Sequence, residues 1–165
     1  MSGVRRRSYE AGHRPKFLAV VDGAPESGRA IYYAARRAAR LGAVLTLLAV
    51  VTPGDFGEWL GVGDVMRAEA ETEARERLAL ASDLAHRVEG VEIETVLRTG
   101  ERAGEIVALI EEDEDIAVLV LAAGAGKEGP GPLVSTLAGR AAASFPIPIA
   151  IVPGHLTDEE IDALT

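Results

Sequence analysis

Five short apolar segments recur along the chain, and each is separated from the next by a stretch whose apolar residues fall at helical spacing. Strands that alternate with helices are not joined by tight hairpins. Each connection crosses a sheet face, which makes the strands parallel and the crossovers right-handed. Phe17–Val21, Val44–Val51 and Ile116–Leu121 are near-continuous apolar runs, suited to strands covered on both faces. The segment 91–97 alternates only partly, which places it near a sheet edge. The last segment, residues 147–152, carries Pro146 and Pro148, whose missing N–H groups restrict them to its start or an edge. The expected fold is α/β, a doubly wound five-stranded parallel sheet with helices on both faces.

The helical stretches have readable limits. Pro25 stands where a first turn begins, Ala30, Ala34, Ala38 and Leu41 share one face, and Gly42 is placed to cap the end. A longer helix is expected over 64–89, stopped by Gly90, and a third over 101–112 with Ile106, Leu109 and Ile110 inward. The acidic run Glu111 to Asp115 reads as a solvated helix end rather than a metal site. A short helix is expected over 133–144, and Thr157 with Glu160 forms a capping box for a C-terminal one. The loop 52–63 gathers Phe56, Trp59 and Leu60, which either pack back on the domain, cover a pocket or meet a partner.

With 165 residues, the chain suits one domain, 16–153, between a flexible N-terminal tail (1–15) and an acidic C-terminal tail (154–165). Hydrophobic residues make up 48% and aromatics only 4%, a mixture that suits helices lying flat on a sheet. The absence of cysteine excludes disulfides, Cys-based zinc sites and thiol catalysis. A net charge of −9 argues against a nucleic-acid surface, although Arg5, Arg6, Arg7 and Arg14 make the tail basic. No apolar run approaches the roughly 20 residues that span a bilayer, and no secretory h-region follows the N-terminus. A cytoplasmic location with no membrane partner is therefore expected. His13, His86 and His155 are scattered, and no metal or hydrolase motif includes them.

Ligands of such sheets bind beyond the carboxyl ends of the strands, where the strand order reverses. That rule puts Asp22, Val50, Val51 and Gly124 on one rim. The glycine-rich segment from Ala122 to Thr136 leaves a buried strand and enters a helix, where backbone N–H groups favour an anion. Ser135 and Thr136 could add hydroxyl donors, or Ser135 could simply cap the helix. Lys127 could pair with a phosphate or be a solvated loop lysine. The segment is not a Walker A loop, because Glu128 follows Lys127 where a magnesium-binding hydroxyl is required. Its glycine spacing is not that of a dinucleotide fingerprint either.

The strand, the glycine-rich loop, Ser135-Thr136-Leu137-Ala138 and the run Phe145 to Pro153 together resemble the C-terminal signature of universal stress proteins. Val20-Val21-Asp22-Gly23 before an Ala-rich helix is similar to that family's opening strand and turn. The resemblance covers about 16–153. It implies an adenine nucleotide, ATP or AMP, with Mg2+ only if ATP is bound. Asp22, Val50 and Val51 would frame adenine and ribose, Gly124, Gly126, Ser135 and Thr136 would hold phosphates, and Ala123 would belong to the same binding set. The family loop has the form G-x2-G-x9-G-[ST]; here one residue separates Gly124 from Gly126, Ser135 replaces the later glycine, and Gly-Pro-Gly-Pro is added. Ala24 also stands where the family often has Ser. The resemblance further implies a regulatory homodimer joined through the last strand, 147–152, and a protein partner whose identity stays open. Two other readings remain: a stress-response interaction module that takes no nucleotide, and a weak ATP hydrolase for which Lys127 and Glu128 are the only nearby groups. No catalytic residue is assigned.

Overall fold

The computed structural model describes residues 5–52, 63–139 and 143–165, so Phe56, Trp59 and Leu60 lie outside the described residues. The elements follow in the order β1 (Lys16–Val20), α1 (Ser27–Leu41), β2 (Val44–Val51), α2 (Gly63–Ala85) and β3 (Glu92–Thr99). After these come α3 (Arg102–Glu112), β4 (Ile116–Ala123), α4 (Pro132–Leu137), β5 (Ile149–Pro153) and α5 (Asp158–Leu164). The strands form one five-stranded sheet in the order β3-β2-β1-β4-β5. Every neighbouring pair is parallel. The doubly wound sheet expected from the alternation is present, with β3 and β5 at its two edges.

Period two along β1 sorts its side chains between the two faces. Phe17, Ala19 and Val21 join one core with α1 and α2, while Leu18 and Val20 join the other with α3 and α4. In the register Leu18 lies opposite Thr46 of β2 and Leu119 of β4, and all three are fully buried. On α1, Ala30, Ala34, Ala35 and Ala38 are buried against the sheet. Their small side chains let the helix axis approach the sheet closely. Gly42 ends α1 in the left-handed region, with φ 67°, and its N–H donates to the Ala38 carbonyl.

Element limits differ from the expected ones where local hydrogen bonds intervene. Helix α1 begins at Ser27 rather than Pro25, because Asp22 Oδ1 accepts from Ala24 N at 2.9 Å and Ser27 N donates to Ala24 O at 3.0 Å. These turns occupy the residues that would have opened the helix. Helix α2 stops at Ala85, after which Arg87 N and Val88 N bond to Leu84 O and Ala85 O, a tightened last turn that keeps Val88 buried. Strand β5 starts at Ile149, since Pro148 offers no donor and its carbonyl takes Leu119 N at 3.0 Å.

Residues 5–15 and the C-terminal helix each dock on the domain through their own set of polar contacts. Of residues 5–15, Arg7 N donates to Glu114 O, Arg6 donates through Nη1 to Ile110 O at 2.7 Å, and His13 Nδ1 bonds Asp115 at 2.7 Å. Arg14 bonds Glu92, and Lys16 donates to Glu94 at 2.9 Å and Asp113 at 2.7 Å. Burial pushes the Lys16 ammonium down, but those two carboxylates more than offset it and its pKa is raised. At the other end, the Thr157–Glu160 capping box expected from the sequence starts α5. This helix docks on α1 through Tyr32 to Asp162 at 2.6 Å, Arg29 to Asp158 at 2.7 Å and Arg36 to Asp162 at 3.3 Å.

Hydrogen bonds from Arg29 and then Arg87 hold the Asp158 carboxyl below its ordinary value of 3.8. A depressed folded value stabilises the protein fully above the unfolded value and loses that effect as pH falls through the folded one. Asp158→Asn should therefore lower the melting temperature at neutral pH, with the gap to the parent closing in acid. Thermal melts across that range check this; a gap independent of pH would contradict it.

Candidate functional site: the crevice between β1 and β4

A cavity of about 330 Å3 opens at the carboxyl ends of β1 and β4. The connections leave these neighbouring strands in opposite directions, which leaves the crevice between them uncovered. Asp22, Gly23, Ala24, Glu26 and Ser27 wall it from the β1–α1 turn, and Leu121 and Ala122 from β4. Pro130, Gly131, Pro132, Leu133 and Val134 close the far side. Arg102, from the first turn of α3, completes the lining.

Asp22 is oriented by its own turn. Its Oδ1 accepts from Ala24 N, and among the described residues Oδ2 has no hydrogen-bond partner. One carboxylate oxygen thus fixes the geometry and the other can serve a ligand hydroxyl. The glycine loop folds back on itself: Gly124 N donates to Pro130 O at 3.0 Å and Gly129 N to Gly126 O at 3.3 Å. Ala123 O accepts Gly154 N at 2.8 Å. These bonds turn the second half of the loop toward the cavity in place of Gly124 and Gly126.

The sequence-predicted residues are therefore distributed over three neighbouring concavities. Asp22 lines the main one. Thr136 lines a second of about 330 Å3 together with Thr52, Pro132 and Arg102. Val50 and Val51, both buried, line a third of about 210 Å3 with Met66, Glu73 and Arg77. Ala123, Gly124, Gly126 and Ser135 line none of these. Lys127 and Glu128 are exposed on the loop.

Sequence reasoning missed Glu26, Arg102 and the Pro130–Pro132 stretch as wall residues. In sequence, Pro130 and Pro132 stand out only as additions to the loop. Arg102 was legible in one respect: it follows the carboxyl end of β3, on the same rim as Asp22.

The His13, Glu114 and Asp115 ligand-capable atoms lie within 4.8 Å of one another, at the amino end of the sheet. Their partnership holds the N-terminal segment to the start of β4 and is separate from the crevice.

A doubly wound parallel sheet with an open crevice at its switch point defines an open-sheet α/β domain. The family model described as "Universal stress protein family" matches residues 13–153. The chain belongs to the universal stress protein family. Solved structures share its fold. UspA from Lactobacillus plantarum is 19% identical, with a TM-score of 0.67 over 84% of this chain and 97% of that one. The Archaeoglobus fulgidus universal stress protein in complex with dAMP is 21% identical, with a TM-score of 0.60 over 84% and 96%. An Arabidopsis thaliana family member with AMP bound is 15% identical, with a TM-score of 0.57 over 88% and 94%. Among curated proteins none matches this chain significantly.

Gly154, just past β5, sets how closely the last strand's exit approaches the cavity wall. A Cβ there would meet Ala123 O at 2.5 Å and Glu26 Cβ at 2.9 Å. Gly154→Ala should cost about 1–3 kcal/mol as an overpacked position. Urea denaturation checks it, with a lower midpoint and an unchanged slope expected.

Proposed function

We propose that this chain is a regulatory homodimer that binds an adenine nucleotide, AMP or ATP, in the crevice between β1 and β4. The observation that carries the reading is the cavity itself, which lies at the reversal point of the sheet with the Asp22 carboxylate in its wall. A carboxylate there accepts ribose hydroxyls. The apolar side chains of Val20, Leu121 and Val134 offer the surface that a base needs. Structural relatives described in complex with cAMP, dAMP and AMP support the ligand class. Mg2+ would be required only with ATP, to offset its extra charge beside Asp22 and Glu26.

A second reading draws on the folded-back loop. Because Gly124 N is spent on Pro130 O, the family's phosphate nest is reshaped, which favours an interaction module that takes no nucleotide. Weak ATP hydrolysis would need a group that orients water, and Lys127 and Glu128 stand outside the cavity lining. The cytoplasm is the compartment that this reading assumes. Among the described residues no helix is long and apolar enough to cross a membrane.

The dimer rests on β5, an edge strand whose far side has no pairing strand among the described residues. Ile151 is 42% exposed on this strand. A second copy laid antiparallel would pair the edge and cover that side chain. The protein partner that reads the nucleotide state stays open.

Calorimetry with AMP, and with ATP in the presence and absence of Mg2+, tests the ligand. Saturable heat is expected, and Asp22→Asn, which keeps an acceptor for the turn but removes the charge, should weaken it roughly tenfold. No heat with any of them would instead support the interaction module. Light scattering at micromolar concentration should give a dimer, and Ile151→Glu should give a monomer with an unchanged circular dichroism spectrum. A wild-type monomer would remove the dimer from the proposal.

A further inference from the structure

Arg102 is out of place as a structural residue. It lies in the first turn of α3, the helix end where the backbone dipole disfavours a cation. Its Nε is buried with no hydrogen-bond partner, and no described carboxylate forms an ion pair with it. The nearest acidic neighbour in sequence, Glu101, is committed to capping, accepting from Ala103 N and Gly104 N at 3.1 and 2.6 Å. Arg29 and Arg98 have ion-pair partners in Asp158 and Glu112, and Arg6, whose Nε and Nη2 are likewise buried without a partner, still donates through Nη1 to Ile110 O, whereas no bond of the Arg102 guanidinium is seen among the described residues. A buried guanidinium nitrogen without a partner is costly, because it has lost water and gained nothing.

Its position suggests what would compensate. Arg102 is the one lining residue of the crevice that comes from outside the β1–α1 and β4–α4 segments, and it also lines the adjoining cavity that holds Thr136. It therefore stands between the two spaces, opposite the carboxylates Asp22 and Glu26 contributed by the other wall. Gly124 N is already bonded to Pro130 O, and neither Gly124 nor Gly126 lines the crevice, so the side chain of Arg102 is the cationic group of its wall. A guanidinium presents a planar fork of donors that suits phosphate oxygens.

The geometry points to Arg102 as the residue that holds the nucleotide's phosphate, with the site taking a nucleoside monophosphate in preference to a metal-free triphosphate. This rests on the nucleotide reading given above and adds to it the anchor and the charge state of the ligand. One cation beside two carboxylates leaves the lining net negative, so the ligand with fewer phosphate charges is repelled less. Three phosphates would bring several negative charges toward Asp22 and Glu26.

The test is calorimetry of wild type, Arg102→Gln and Arg102→Lys with AMP, adenosine and metal-free ATP, alongside thermal melts without ligand. Wild type should bind AMP more tightly than adenosine or metal-free ATP. Arg102→Gln should lose about ten- to hundredfold in AMP affinity while its adenosine affinity stays unchanged, and Arg102→Lys should recover part of the loss. The unliganded Arg102→Gln protein should melt no lower than wild type, because the unpartnered charge is gone; a residue that merely held α3 in place would lower it. If Arg102→Gln binds AMP as wild type does, or if wild type prefers metal-free ATP, the anchor is overturned while nucleotide binding stands. If wild type takes up neither AMP nor adenosine nor ATP, the nucleotide reading itself fails, and the anchor with it.

Discussion

Strand β1 pairs in parallel with β2 on one side and with β4 on the other, and both of its faces are covered. That arrangement forces the architecture of the functional end. Right-handed crossovers from β1 to β2 and from β4 to β5 must run to opposite edges of the sheet, over opposite faces. The helices that follow β1 and β4 therefore part where the two strands finish. No neighbouring helix can fill the gap, so a concavity remains beside Asp22. The crevice is a topological product of strand order, and its chemistry comes from whichever residues lie at those two strand ends.

Charge is arranged differently at the two ends of the sheet. At the amino end, His13 bonds Asp115 and Lys16 bonds Asp113 in the acidic run after α3, with Arg98 reaching Glu112 from the edge strand. These pairs lie at or near the surface and each adds modestly to stability, but together they fix the N-terminal segment across the sheet. At the carboxyl end, Asp22, Glu26 and Arg102 line open space and are not joined in ion pairs among the described residues. Paired charge holds one end of the domain together, and unpaired charge is left facing the cavity at the other.

Most of the fold was legible because its signals are local. Val44–Val51 and Ile116–Leu121 are apolar without alternation, and that pattern distinguishes strands buried on both faces. Val91–Leu97 alternates in part, and β3 lies at an edge. Gly42 and the Thr157–Glu160 pair marked helix ends through their own hydrogen-bonding chemistry. The site was less legible because its walls depend on how a loop closes. The bond from Gly124 N to Pro130 O joins residues whose pairing no residue type announces, and it decides which half of the loop meets the cavity. The family resemblance pointed to the glycines, whereas the added Gly-Pro-Gly-Pro stretch supplies the wall. Arg102 escaped notice for a different reason: in sequence, an arginine at a helix start looks like any solvated cation, and only packing buries its Nε.

Pro130 and Pro132 flank Gly131 in the wall that faces Asp22. Each proline ring locks its φ near −65°, so the segment has few conformers to sample even in the unfolded chain. A wall built this way has little backbone freedom left to lose when a guest arrives. The entropic penalty of docking then falls mainly on the ligand and on side chains such as Arg102, and the crevice acts as a stiff mould whose shape precedes its occupant.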